Sequence, residues 1–175
     1  MTATIGWFSV LLAFALALVG IIVPVLAARR EGARVLAVGV ASIVGQLALV
    51  TVAGIALVYA LVTADFSLKY VATNSSLRTP LYYRVTGLWG ALEGSLLLWE
   101  WMLVAFAGLV VWQYRERHRE LMPWVLAVFS AVSAFFLAVL AFASSPFESL
   151  WPVPLDGRGL NPLLEDADMF THPPL

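Results

Sequence analysis

Long apolar stretches alternate with short polar ones along this chain. Four of these stretches hold about 20 or more mostly apolar residues, the length with which a helix crosses the ~30 Å hydrocarbon core of a bilayer. The predicted spans cover residues 5–28, 35–63, 88–112 and 124–143. Backbone polar groups inside a bilayer must be satisfied internally, which a helix does. The pattern therefore predicts an all-α integral membrane protein with four transmembrane helices.

The first span is predicted to stay in the protein rather than be removed as a signal peptide. No positive charge precedes its apolar run, and the run is longer than the apolar core of a signal peptide. Pro24 lies inside this span and is expected to kink it, which neighbouring helices tolerate in a bilayer. We interpret residues 5–28 as a membrane helix.

The composition is typical of a membrane protein, and it indicates which classes of partner to expect. The 175 residues are 62% hydrophobic and 12% charged, whereas soluble domains average about 25% charged residues. Lipid is thus an expected partner, and a formal net charge of −1 argues against nucleic acid. The chain has no cysteine, so it carries no disulfide framework, thiolate metal site or cysteine nucleophile.

The basic residues predict an orientation, because short cytoplasmic loops are enriched in Lys and Arg. Two very short connections, 29–34 and 113–123, hold three arginines each. The four other basic residues are spread over two longer segments: Lys69, Arg78, Arg84 and Arg158. We therefore predict cytoplasmic short connections, and an outer face that carries both chain ends, the loop 64–87 and the segment 144–175. Long connections of this kind are more often functional than accidental.

His172 is the candidate ligand in the second outer segment. Pro173 disfavours helical dihedrals at His172, and neutral imidazole is the commonest protein metal ligand and a usual axial ligand of heme iron. A lone histidine in a loop is also often a plain surface residue, so the pattern leaves both interpretations open. His118 is predicted on the other side of the membrane, ~30 Å away, so the two histidines are not expected to ligate one metal.

Glu93 and Glu100 are the acidic residues of the third span. They are seven residues apart, nearly two helical turns, so they share one helix face. A carboxyl group inside a span is costly and usually has a polar partner or a functional role. We predict a polar partner or a proton relay for Glu100 and a position near the outer end for Glu93.

Other polar and aromatic residues of the outer segments give weaker signals. The spacing of Asp156, Glu165, Asp166 and Asp168 does not match a calcium-binding loop, which favours a solvated acidic loop. Four aromatic side chains are predicted at the outer rim: Tyr82, Tyr83, Trp89 and Trp151. Such rings occur as an interfacial belt of membrane proteins, and they are also suited to packing on a flat porphyrin.

Two long runs resemble the CcmF family of cytochrome c-type biogenesis proteins, the heme lyase subunits of a bacterial maturation pathway. The runs are PLYYRVTGLWGALEGSLLLWEW, Pro80–Trp101, and SSPFESLWPVPLDGRGLNPLLEDADMFTHPPL, Ser144–Leu175. The resemblance implies a polytopic helical bundle of the bacterial inner membrane that handles heme at the outer face. It further implies that heme arrives from a heme chaperone, and that other maturation subunits help attach it to apocytochrome c thiols. Leu92 departs from the family, whose members often have histidine there.

The resemblance also implies roles for individual residues. His172, in the HPP triplet, would be an axial ligand of the heme iron, with the second ligand in a later outer loop. In the family, HPPL leads into a further helix, so we expect this chain to be either a truncated fragment of a heme lyase, which we favour, or one half of a split one, and to be inactive alone. The residues expected to pack against the porphyrin are Tyr82, Tyr83, Trp89 and Trp151. Those expected to pair with propionates are Arg78, Arg84 and Arg158.

Two alternatives remain at this point. The first is a heme-free, proton-coupled transport or respiratory subunit in which Glu93 and Glu100 form a proton path. The second is a purely structural scaffold for partner subunits. The heme interpretation predicts that His172 governs visible absorbance, whereas both alternatives predict that it does not.

Overall fold

Four long helices form the bundle, as the apolar pattern predicts. The structure, a computed structural model, describes residues 1–28 and 33–165. The long helices are α1 (Thr2–Ala28), α2 (Ala33–Val62), α5 (Leu92–Tyr114) and α6 (Met122–Ala138), and α6 continues as a π-helical turn (Val139–Ala143). Each is long and apolar enough to cross a membrane. The prediction of an all-α membrane protein with four spans is confirmed.

Short helices occupy the connection between α2 and α5, which the sequence pattern described only as a loop. They are α3 (Lys69–Asn74), α4 (Leu81–Thr86) and a 3-10 turn (Gly87–Trp89). The 3-10 turn ends at Gly90, and Ala91 is extended, so α5 begins at Leu92 rather than at residue 88. Trp89 therefore lies outside the third long helix, and Glu93 lies in its first turn.

Small residues let the long helices approach closely. α1 packs along α2 and α6, and α5 packs against α2 and α6. At Gly20 of α1, a Cβ atom would lie 2.3 Å from the Ser130 hydroxyl of α6. At Gly39 of α2, it would lie 2.7 Å from the ring of Pro24. In lipid no hydrophobic force drives helices together, so their association depends on close packing of this kind.

The two longer segments lie at the same end of the bundle. Residues 63–91 and 144–165 are joined by backbone hydrogen bonds, whereas the connection between α5 and α6 lies at the opposite end with its residues exposed. We call residues 63–91 and 144–165 the cap. The side of the membrane on which the cap lies stays a prediction.

Candidate functional site

The first junction of the cap joins the start of α3 to the segment after α6. Leu68 and Ser149 form an antiparallel bridge. The Lys69 amide donates to the Glu148 carbonyl (2.9 Å), and the Leu150 amide donates to the Ser67 carbonyl (2.8 Å). The Lys69 ammonium group also lies 2.9 Å from the Glu148 carboxylate, and this ion pair raises the pKa of Lys69. These contacts fix the beginning of the segment after α6 against α3.

The second junction is built around Asp156, one of the residues of the acidic loop. Its carboxylate accepts from the Leu77 amide (2.8 Å) and the Gly157 amide (2.7 Å). The Arg158 amide donates to the Ala72 carbonyl at 2.8 Å. At Gly157, a Cβ atom would lie 2.0 Å from the Ser75 carbonyl oxygen, so this contact requires glycine. Asp156 thus has a structural role, and the part of the chain that the structure describes contains no acidic or histidine cluster suited to a metal ion.

Tyr82 and Tyr83 are neighbours on α4, and their rings contact each other close to Glu165. Their ring centroids are 3.8 Å apart, and the rings are tilted by 33°. The Tyr83 hydroxyl donates to the carbonyl of Glu165, the last residue that the structure describes. Tyr82 is 48% exposed. The structure therefore places the tyrosine pair beside Glu165, at the end of the cap range 144–165.

The Arg84 side chain holds three backbone carbonyls in and next to the cap. Its guanidinium group donates to the carbonyls of Thr79 (2.9 Å), Leu77 (2.9 Å) and Val62 (3.2 Å). These three contacts join the loop before α4 to the last residue of α2. Arg158 differs, because its backbone holds α3 while its side chain is exposed.

The two tryptophans predicted at the rim have different surroundings. Trp89 is half-buried in the 3-10 turn, and its carbonyl accepts from the Ser95 hydroxyl at 3.0 Å. Trp151 is 88% exposed and follows Leu150 at the first junction. Within the described residues, Trp151 has no ring contact with the tyrosine pair.

Tyr70 is a central residue of the cap that the sequence analysis missed. It is buried, and two carbonyls lie within reach of the single hydrogen of its hydroxyl, Gly87 at 2.8 Å and Leu88 at 3.0 Å. Burial raises the pKa of the phenol, and the nearby charge of Glu93 adds to that shift. A single tyrosine in a connection has no periodicity, so the sequence offered no signal for this role.

Glu100 and Glu93 belong to separate surroundings although they lie on one helix. Glu100 is fully buried. The Ser133 hydroxyl oxygen lies 2.5 Å from Glu100 Oε1 and 2.7 Å from Gln46 Oε1. Glu93 is half-buried near Tyr70 and Lys69, close enough that its charge affects the pKa of both. The partners of Glu100 were not predicted, although they are polar residues within otherwise apolar spans.

The predicted ligand cannot be compared with the structure. His172, like Asp166 and Asp168, lies outside the described residues. His118 is exposed at the end of the bundle opposite the cap, where its amide donates to the Tyr114 carbonyl at 3.0 Å. The predicted separation of the two histidines stays a prediction.

The four apolar helices and their cap define a multi-pass helical membrane protein. Residues 89–175 match the family model described as "Cytochrome C assembly protein". The chain is 39% identical to the cytochrome c-type biogenesis protein ccl1 of Rhodobacter capsulatus over 97% of this chain and 26% of that protein. It is 35% identical to CcmF of Haemophilus influenzae over 100% of this chain and 27% of that protein.

A solved structure shows the same fold. The protein titled "Cytochrome c Heme Lyase CcmF" superposes with a TM-score of 0.79 and 35% sequence identity, over 87% of this chain and 26% of that one. The chain belongs to the CcmF family of bacterial cytochrome c-type biogenesis proteins, and the resemblance found in the sequence is confirmed. It spans about a quarter of the length of these relatives.

Proposed function

We propose that this chain supplies the cap on which heme is held during cytochrome c maturation, at the outer face of the bacterial inner membrane. Heme is the cargo of this reaction, and its attachment requires the remainder of a heme lyase. The proposed ligand of the iron is His172. The observation that carries the proposal is the contact between Tyr83 and Glu165, which ties the segment leading to the HPP triplet to an aromatic pair whose other member, Tyr82, is exposed.

Chain length supports a common site for the aromatic pair and the histidine. His172 follows Glu165 by seven positions in the sequence. An extended chain covers at most ~3.6 Å per residue, so His172 lies within about 25 Å of Glu165. Earlier in the same segment, the Asp156 carboxylate and the Arg158 backbone are also held by the rest of the cap. The protein would thus contribute positioning, which is a large part of what proteins supply to cofactor chemistry.

The described residues suit the chemistry of a porphyrin. Tyr82 offers an exposed aromatic surface for an apolar macrocycle, and we propose that Trp89 and Trp151 add to it. Arg158 has an exposed side chain, and a guanidinium group pairs well with carboxylates such as heme propionates. Arg84 already donates to three carbonyls, so we favour Arg158 over Arg84 for this contact, while Arg78 is also exposed.

The proposed partners follow from the family. A heme chaperone would deliver the cargo, an apocytochrome c would provide the thiols that this chain lacks, and other maturation subunits would complete the machinery. The names of the relatives support cytochrome c biogenesis as the process. The alternative, proton-coupled transport through Glu93 and Glu100, has less support, because Leu97 is buried between the two carboxyl groups.

Replacement of His172 tests the proposal. The full-length polypeptide that contains this chain would be purified from heme-replete membranes as wild type, His172→Ala and His118→Ala. We expect a weakened or shifted Soret band only for His172→Ala, with heme affinity lowered at least tenfold, since even indirect partners of a metal contribute about 10–100-fold. The His118 variant is the matched control because it also loses an imidazole.

Two results would contradict different parts of this proposal. An unchanged spectrum in the His172 variant would remove that residue as ligand but leave the proposed function. Unimpaired cytochrome c maturation in cells that carry the same variant, with heme absent from wild type and variant alike, would reject the function itself.

A further inference from the structure

A polar layer interrupts the apolar core of the bundle. The core consists of two apolar clusters, one nearer the cap and one nearer the opposite end. On α2, Gln46 lies between Ile43 of one cluster and Val50 of the other. The equivalent positions on α5 and α6 are also polar. The members of the layer, all with 0% exposure, are Gln46, Glu100, Ser130 and Ser133.

The Ser133 hydroxyl lies between two oxygen atoms, and this arrangement limits the possible protonation states of the layer. The Ser133 hydroxyl has one hydrogen but lies within bonding distance of two oxygens, Glu100 Oε1 at 2.5 Å and Gln46 Oε1 at 2.7 Å. Two hydrogen bonds need two hydrogens. The second hydrogen comes either from a carboxylic acid group on Glu100 or from the Gln46 amide with its oxygen and nitrogen exchanged.

The surroundings favour the carboxylic acid. An ionised Glu100 would be a charge inside a bilayer, which costs ~3 kcal/mol or more without compensation. No Lys, Arg or His occurs in residues 2–28, 36–62, 92–114 or 122–143, so these spans supply no cation. The neutral acid instead donates to Ser133, which donates to Gln46 Oε1, and both short contacts are satisfied.

Within the polar layer, three buried atoms then remain without a partner among the described residues. They are Glu100 Oε2, Gln46 Nε2 and Ser130 Oγ. A buried polar group left unpaired costs about 1–3 kcal/mol. The three are an acceptor, a donor and a group that is both, which is the set of partners that buried water typically has.

We propose that the polar layer is a buried water-binding site in which Glu100 is a neutral carboxylic acid. The site joins α2, α5 and α6 at mid-bundle and holds the register of the helices that carry the cap. On α5, the buried apolar residues Leu97 and Val104 flank Glu100, so Glu100 retains its proton rather than passing it along the bundle. This inference is independent of heme handling.

Infrared difference spectroscopy tests the protonation state. The full-length protein in lipid nanodiscs at neutral pH would be compared with Glu100→Gln, which is isosteric and keeps a donor toward Ser133. We expect a protonated carboxyl C=O band that disappears in Glu100→Gln and persists in the matched control Glu93→Gln. In Ser133→Ala, the band should move to higher frequency, because the hydrogen bond from the acid is lost.

The bound water needs its own readout. Exchange of the sample into H₂¹⁸O should shift an O–H stretching band that is present in wild type and diminished in Ser130→Ala. A protonated carboxyl band without any ¹⁸O-sensitive band would show a dry layer and reject the water site. Carboxylate bands in place of the protonated band, together with thermal stability that rises with sodium concentration, would show a cation site and overturn the proposal. Should Glu100→Gln fail to fold, an unshifted band in Ser133→Ala would overturn it equally.

Discussion

Single polar side chains hold the cap together by satisfying backbone carbonyls. Arg84 does so for three carbonyls, and the Tyr70 hydroxyl donates its single hydrogen to the carbonyl pair of Gly87 and Leu88. Short helices leave many backbone groups unpaired at their ends, and a buried carbonyl without a donor destabilises the fold. Because the cap contains only short helices and turns, side-chain donors replace the regular hydrogen bonds that the long helices make for themselves.

Tyr70→Phe should loosen the cap without altering the bundle. The variant loses the hydrogen bond that the phenol makes to this pair of carbonyls, while Gly87 keeps its bond from the Gly90 amide, so we expect a destabilisation of about 1 kcal/mol. Hydrogen–deuterium exchange should accelerate in residues 69–91 and remain slow in α1 and α2. Unchanged exchange in the cap would contradict the role assigned to Tyr70. Tyr59, which is 60% exposed, provides a control substitution to Phe.

The raised pKa of the Tyr70 hydroxyl predicts that the cap loses stability at high pH. Burial raises the pKa of Tyr70 above the ordinary value of about 10, so the folded state holds the phenolic proton more tightly than the unfolded state. The stabilisation is complete below about pH 10 and is lost as pH rises through the raised pKa. We therefore expect the difference in exchange rates between wild type and Tyr70→Phe to shrink above that pH. A constant difference would argue against titration of this group.

At the scale of elements, the contact between α5 and the 3-10 turn depends on a glycine. A Cβ atom at Gly94 would lie 1.8 Å from the Leu88 carbonyl oxygen and 2.3 Å from the Tyr70 hydroxyl. At Gly108, on the same helix, the nearest atom would be Leu47 Cδ2 at 3.7 Å, an ordinary contact. The two glycines thus differ in packing while sharing helical conformation.

We expect Gly94→Ala to destabilise the protein by about 1–3 kcal/mol through overpacking. Gly108→Ala should be neutral or stabilise it by about 0.5–1 kcal/mol, since alanine is the better helix former. Denaturant unfolding of the two variants in the same detergent provides the comparison. Equal stability of both variants would show that the 3-10 turn can shift away from α5 without cost, and that the close packing at Gly94 does not contribute to stability.

The long helices could be predicted because their signal is length and hydropathy, which the bilayer imposes directly. α3 and α4 could not, because six-residue helices are too short for a periodic pattern and are held by tertiary contacts such as those of Arg84. The start of α5 was placed too early for a related reason. Leu88 and Trp89 are apolar, but the turn at Gly90 separates them from the helix.

At the scale of the whole molecule, the family could be identified from the sequence because its motifs are long, whereas the organisation of the site could not be foreseen. Hydropathy indicated that Glu100 needed a partner but not that Ser133 and Gln46 provide it, because three helices must first be packed together. The junction at Asp156 likewise joins residues 79 positions apart. The role of His172 stays a prediction.

The orientation of the molecule is the remaining whole-chain prediction, and the lack of cysteine makes it directly testable. Single cysteines would be introduced at Leu155 in the cap, which is 97% exposed, and at Glu116 in the opposite loop, which is also exposed. The arginines clustered around Glu116 predict that this loop is cytoplasmic. We expect a membrane-impermeant maleimide to label Leu155→Cys in intact spheroplasts and Glu116→Cys only after permeabilisation. The reverse pattern would place the cap in the cytoplasm, where the proposed outer-face delivery of heme could not occur.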